Sequence, residues 1–165
     1  MARLAAGGMA EIFKARYAPA PGVTKQVVIK RILPHYAANK SFIAMFTNEA
    51  KIAMSLSHGN IAQVFDFGDI DGDWFLAMEL VDGQPLSKLL RRARALSIPF
   101  LPEAYGVAIA IELLKGLHYA HTRIDENGKP LKIVHRDVSP QNVLVSYEGQ
   151  IRDRRLRDRE GPRVA

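Results

Sequence analysis

The stretch IVHRDVSPQNVLV, residues 133–145, decides how this chain folds. Apolar runs on either side enclose a polar segment that holds His135, Arg136, Asp137, Pro140 and Asn142. Asp137 is suited to take a proton from an attacking hydroxyl, the task of a general base. Asn142, five residues on, offers a side-chain oxygen to a hard cation such as magnesium. A His-Arg-Asp triplet also arises by chance, so its weight depends on what the rest of the chain supplies.

Downstream the chain changes character. Residues 151–165 hold six arginines against Asp153, Asp158 and Glu160, so half of the net charge of +6 sits in the last fifteen residues. The remainder is not a basic surface, which argues against nucleic acid as a partner. There is no cysteine, which excludes disulfides and thiolate metal sites. No apolar run is long enough to cross a bilayer. The opening MARLAAGGMAEIF is a poor signal peptide, so the expected setting is cytoplasmic. Met1 falls inside an expected strand, which suggests a clipped start.

Upstream, residues 4–17 read as strand, glycine turn, strand, and APAPG at 18–22 as a turn cluster. KQVVIKRIL, residues 25–33, is β-branched and apolar, a central strand that Pro34 ends. Residues 41–57 place Phe42, Met45, Phe46, Ile52 and Leu56 at helical spacing, with Ser41 as the expected N-cap. Residues 60–80 read as two strands around DIDGD. A short helix over 86–94, a long one over 103–122, a loop, and short strands at IVHRD and NVLVSYEGQ complete the order. Trp74 belongs in the hairpin core; His35, His58, His118 and His121 lack ligand spacing and are assigned structural roles.

That order supplies most of what phosphoryl transfer from ATP requires: a cover for the phosphates, a cation, a metal ligand and a base. Gly7 and Gly8 in AAGGMAEIF let backbone amides approach phosphate oxygens, although a glycine pair alone is only a turn. Lys30 ends a buried strand and needs an anion to compensate. Glu49 on the next helix can supply it, although the two taken alone would equally make a surface pair.

GGMAEIFKAR, VVIKRI, NEAKIAMSLSHGNI, FLAMELVDGQPL and IVHRDVSPQNVLV, in that order over residues 4–150, resemble a bacterial serine/threonine protein kinase of eukaryotic type. The resemblance implies an α+β, protein-kinase-like fold. It would have a five-stranded antiparallel N-lobe with one helix (1–79), a hinge and incomplete helical C-lobe (80–150), and an aberrant arginine-rich tail (151–165). It implies that Lys30 pairs with Glu49 and the ATP phosphates under a loop of Ala5, Gly7 and Gly8. Met78 stands at the gatekeeper position, Glu79 to Val81 form the adenine-binding hinge, and Ile12, Val28 and Leu144 sandwich the ring. Asp137 would be the catalytic base and Asn142 a magnesium ligand. A protein substrate and ATP with Mg2+ are the implied partners.

Three departures stand out. Ala5 and Ala10 replace the first and third glycines of the loop, predicting a stiffer loop. Ser139 replaces a lysine. The metal-binding Asp-Phe-Gly, due near residue 155, is missing, and the DFG at Asp66–Gly68 lies too early and is read as strand composition. A frameshift near residues 152–154 accounts for the ending. Codons chosen for the family-like I-D-F-G-I-A-K-A-R, read one frame over, give R-L-R-D-R-E-G-P-R, which is residues 155–163. A genuine solvated tail is the alternative. The chain is then a kinase, or a truncated kinase-like module that binds nucleotide or a partner without catalysis. Ile109, Ile111, Leu113, Leu114 and Leu117 wrap most of their helix, which predicts an exposed apolar patch in a truncated chain.

Overall fold

The apolar alternation and the turn residues build two sheets, seen in a computed structural model that describes residues 2–154. The chain up to Leu56 together with Gln63–Leu80 forms one unit; Ser57–Ala62 and the chain from Val81 onward form another.

The first unit is a five-stranded antiparallel sheet. Strands β1 (Ala2–Ala6), β2 (Ala10–Ala20), β3 (Val23–Ile32), β4 (Val64–Ile70) and β5 (Asp73–Glu79) lie in the order β1-β2-β3-β5-β4. The β-branched run occupies the middle, as its burial requires. β2 runs further than the turn-like APAPG suggests: Ala20 pairs with Val23, leaving Pro21 and Gly22 as the turn, with Gly22 at φ 79°. Asp71 and Gly72 join β4 to β5 with φ of 53° and 85°, the left-handed pair that a tight hairpin demands.

Two helices follow β3. Pro34 not only stops the strand but also starts α1 (Pro34–Ala37), where its missing N–H costs nothing. The cap of α2 (Lys40–Ser55) is Asn39 rather than Ser41, because the Asn39 side chain accepts the Phe42 N–H at 3.1 Å. Phe46 of α2 is buried with Ala10 and Ile32, and Trp74 meets its ring edge-on at 6.3 Å. Ala10 thus has a packing role that its place in the glycine-rich segment hides. On Glu11, hydrogen bonding from Arg31 at 2.7 Å, with Arg3 nearby, holds the carboxyl below the usual carboxylate range.

The second unit pairs β6 (Gly83–Pro85), β7 (Val143–Ser146) and β8 (Ile151–Asp153) in that order, with α3 (Leu86–Ala95) and α4 (Glu103–His121). β6 and β8 were not expected. A Cβ at Gly83 would lie 2.1 Å from the Val145 carbonyl oxygen, so only glycine permits that pairing. IVHRD, expected as a strand, has no ladder; it is an extended segment in which Ile133 and His135 are buried and Arg136 is exposed. Residues 57–62 are not the start of β4. Asn60, 7% exposed, donates through Nδ2 to Glu112 of α4 and to the Ile151 carbonyl of β8, both at 3.0 Å. Gly116 allows α4 to come this close, since a Cβ there would meet Asn60 at 3.2 Å.

Candidate active site

Strand parity places Lys30. It shares a face of β3 with Ile32, which packs against Phe46 of α2. Glu49 follows Phe46 by three residues and adjoins buried Ala50, so it lies toward the same helix–sheet seam. Lys30 and Glu49 are both half-buried, and neither is without a partner. Val28 shares their face, and Ile12 on β2 stands opposite Lys30 in register.

Ala5 in β1 and the turn at Gly7–Gly8 precede Ala10, whose carbonyl accepts the Gly7 N–H at 2.9 Å. Nothing lies within 4 Å of a Cβ built on Gly8, so the turn stands open. Met78 on β5 pairs with Val28. The backbone N–H of Glu79 donates to Gln63 at 2.8 Å, and the Glu79 carboxylate accepts the Gln63 N–H at 3.1 Å. The chain passes from the first unit to the second between Leu80 and Val81.

In the second unit the loop after Ile133 closes on itself. Arg136 takes φ 61°, a left-handed conformation that an arginine adopts only under local constraint. The Asp137 N–H donates to His135 Nδ1 at 3.1 Å. The Asn142 amide nitrogen donates to the Asp137 carbonyl and to its Oδ2, both at 2.9 Å, and to Ser139 Oγ at 3.2 Å. Asp137 and Asn142 are therefore brought together, with the carboxylate and the amide five residues apart in sequence but in direct contact. Ser139, in place of a lysine, takes part in that closure. Leu144, in β7, pairs with Pro85.

These bonds fix the Asn142 amide so that its oxygen faces away from Asp137. Arg154 Nε donates to that oxygen at 3.3 Å, and the Arg154 N–H donates to the Asn142 carbonyl at 3.1 Å. Oδ1 is an amide oxygen, a ligand type that a hard cation such as magnesium takes, and Arg154 occupies it here. The oxygen fits the ion as one ligand, and phosphate oxygens would have to supply others. Among the described residues no three His, Cys, Asp or Glu gather as a metal site.

Beneath the loop, His135 Nε2 and Asp153 Oδ2 approach to 2.7 Å, and both side chains are almost wholly enclosed. The Asp153 backbone bonds to Asn60 and Ala62, each at 2.8 Å. Sequence reasoning missed Asp153 and Arg154 by reading both as tail. The signal was the alternation of Ile151 and Asp153, which puts the aspartate inward. The DFG of Asp66–Gly68 sits in edge strand β4, where Phe67 N–H donates to Asp66 at 2.8 Å. His58 Nδ1 accepts the Asn60 N–H at 3.1 Å and its ring lies on Tyr119, a structural role. The Asp-Phe-Gly expected near residue 155 and the stretch 155–163 lie outside the described residues.

Comparison with known proteins is consistent throughout. The family model described as protein kinase domain matches residues 2–158. The chain is 41% identical over 150 residues to the tyrosine-protein kinase MasK of Myxococcus xanthus, covering 91% of this chain and 23% of that protein. It is 33% identical over 144 residues to the serine/threonine-protein kinase PknF of Mycobacterium tuberculosis, covering 87% of this chain and 27% of that protein. The crystal structure of the Mycobacterium tuberculosis PknI kinase domain superposes with a TM-score of 0.72 at 29% identity, over 93% of this chain and 55% of that one. The chain thus spans about a quarter of these curated relatives and about half of the solved kinase domain.

Proposed function

The chain belongs to the protein kinase domain family, and from that premise we propose that it is a fragment of a kinase that moves the γ-phosphate of ATP to a protein serine or threonine hydroxyl. The hydroxyl oxygen attacks the γ-phosphorus and the bond from that phosphorus to the bridging oxygen of ADP breaks. The hydroxyl proton passes to the Asp137 carboxylate. Lys30, oriented by Glu49, holds the phosphates beneath the turn of Ala5, Gly7 and Gly8. Glu79 and Val81 offer backbone groups to adenine, with Ile12, Val28, Met78 and Leu144 around the ring. Asn142 would be one magnesium ligand, and the ion when bound would neutralise charge on the phosphates. A cytoplasmic setting follows from ATP as donor, and the described residues contain no helix long and apolar enough to cross a membrane.

The observation that supports this reading is the contact of Asn142 Nδ2 with Asp137 Oδ2 at 2.9 Å, which joins the proposed base and the proposed metal-binding amide in one loop. Serine/threonine preference rests on relatives such as PknF; MasK is named a tyrosine kinase, so acceptor analysis has to include tyrosine. A second reading, nucleotide binding without transfer, is favoured by Arg154 standing at the Asn142 oxygen.

The test is phosphate incorporation into a generic protein substrate, alongside a thermal shift with magnesium and ATP. Transfer that falls about 10²- to 10⁴-fold in Asp137→Ala supports the first reading. A thermal shift without transfer supports the second. Neither transfer nor shift overturns both.

A further inference from the structure

Helix α3, LSKLLRRARA, carries Lys88, Arg91, Arg92 and Arg94 and no acidic residue. Its faces are sharply divided. Leu86, Leu89, Leu90 and Ala93 are half-buried, while all four cations are exposed. Lys88, Arg91 and Arg92 are spaced as i, i+3 and i+4, so they form one stripe. None of the four makes an ion pair with a described residue. Each like-charged neighbour raises the cost of the others, and nothing within the described fold relieves it.

The stripe is tied to the catalytic loop. The Ser87 N–H, in the first turn of α3, donates to the Pro140 carbonyl at 2.9 Å, and Pro140 lies between Asp137 and Asn142. Lys88 is the next residue. At the other end of α3 Arg94, Ser97, Pro99 and Phe100 line a shallow, open depression, and Phe100 is 83% exposed. Cations thus run from the loop to an apolar shelf.

We propose that this surface docks an acidic, extended segment of the protein substrate, with one apolar side chain seated on Pro99 and Phe100. The inference rests on the protein-phosphorylating reading above and names its substrate class. Residues 88 to 94 span roughly 9 Å of helix, which matches about three acidic residues of an extended chain. Nucleic acid is the weaker fit, because outside the last fifteen residues the chain is not strongly basic and the stripe is short. An anionic membrane is also a weaker fit, since the leucines of α3 face inward and are not available for insertion.

The experiment is fluorescence polarisation of the 165-residue chain with a labelled peptide holding a serine, a run of glutamates and a leucine, at low salt. The expected result is binding that falls at least roughly tenfold when glutamine replaces glutamate, and by a similar factor in the chain with Lys88→Glu, Arg91→Glu and Arg92→Glu. Phe100→Ser should weaken the acidic peptide severalfold. Equal binding of both peptides, undiminished binding by the triple variant, or tighter binding of single-stranded DNA of equal charge overturns the proposal. If circular dichroism shows the triple variant unfolded, Lys88→Gln and Arg92→Gln take its place, and no loss in either overturns it as well. The magnesium–ATP thermal shift separates the two claims: its absence counts against the kinase reading alone, while a retained shift without charge-dependent peptide binding counts against the docking surface alone.

Discussion

Asn142 shows how much one side chain decides. Its nitrogen bonds to Asp137 and Ser139, so its oxygen faces away from Asp137, and Arg154 meets it there. A divalent ion at that oxygen has to displace a guanidinium. Arg154→Ala should therefore raise the affinity for manganese in the presence of ATP, with manganese used as a paramagnetic substitute for magnesium and followed by water-proton relaxation, severalfold. Unchanged manganese affinity would show that the arginine does not compete. His135 and Asp153 make the second residue-scale point. Removing Asp153 leaves the enclosed His135 Nε2 without its neighbouring acceptor. Asp153→Ala should lower stability by about 1–3 kcal/mol in urea denaturation, whereas His135→Phe with Asp153→Leu should recover most of it. A loss well under 1 kcal/mol in the single variant would mean the contact is structurally idle.

Among the elements, α4 is held to β8 through Asn60, and the acceptor on α4 is Glu112. Hydrogen bonds from Lys115 and then Asn60 hold the Glu112 carboxyl below its usual range. A carboxylate with a depressed folded value contributes stability that is present above its unfolded value and lost as pH falls through the folded one. The melting temperature of the wild type should thus fall on acidification below about pH 5, and Glu112→Gln should flatten that dependence. Parallel acid limbs in the two proteins would remove Glu112 from the account. The strands and helices themselves were largely legible, because period-two and period-3.6 patterns are local. The exceptions share a cause. β6 and β8 are three residues each and exist only by pairing with β7, and IVHRD has strand-like composition but no neighbour to ladder with. Asn39 won the α2 cap from Ser41 by reaching the Phe42 N–H, a matter of side-chain geometry that composition does not resolve.

For the molecule as a whole, the apolar circumference of α4 leaves Tyr105, Val107, Ile111 and Leu114 exposed, at 64, 51, 48 and 61%. Only Gly116 and Ala120 of the helix are buried. An apolar face of this kind binds hydrophobic dyes. Ile111→Gln with Leu114→Gln should reduce dye fluorescence and improve solubility without lowering the melting temperature, since neither side chain is enclosed; a lower melting temperature would contradict that. The sequence by itself determined the family, the order of the first five strands along the chain, and the residue types at Lys30, Glu49, Asp137 and Asn142, because each rests on spacing along the backbone. Only the tertiary structure decided that Asp153 lies against His135, that Arg154 stands at the Asn142 oxygen, and that residues 57–62 belong with α4 and β8. Those contacts join positions 12 to 93 residues apart. No local pattern records which distant atom fills a buried polar position; that choice is made when packing excludes water and leaves one partner within reach.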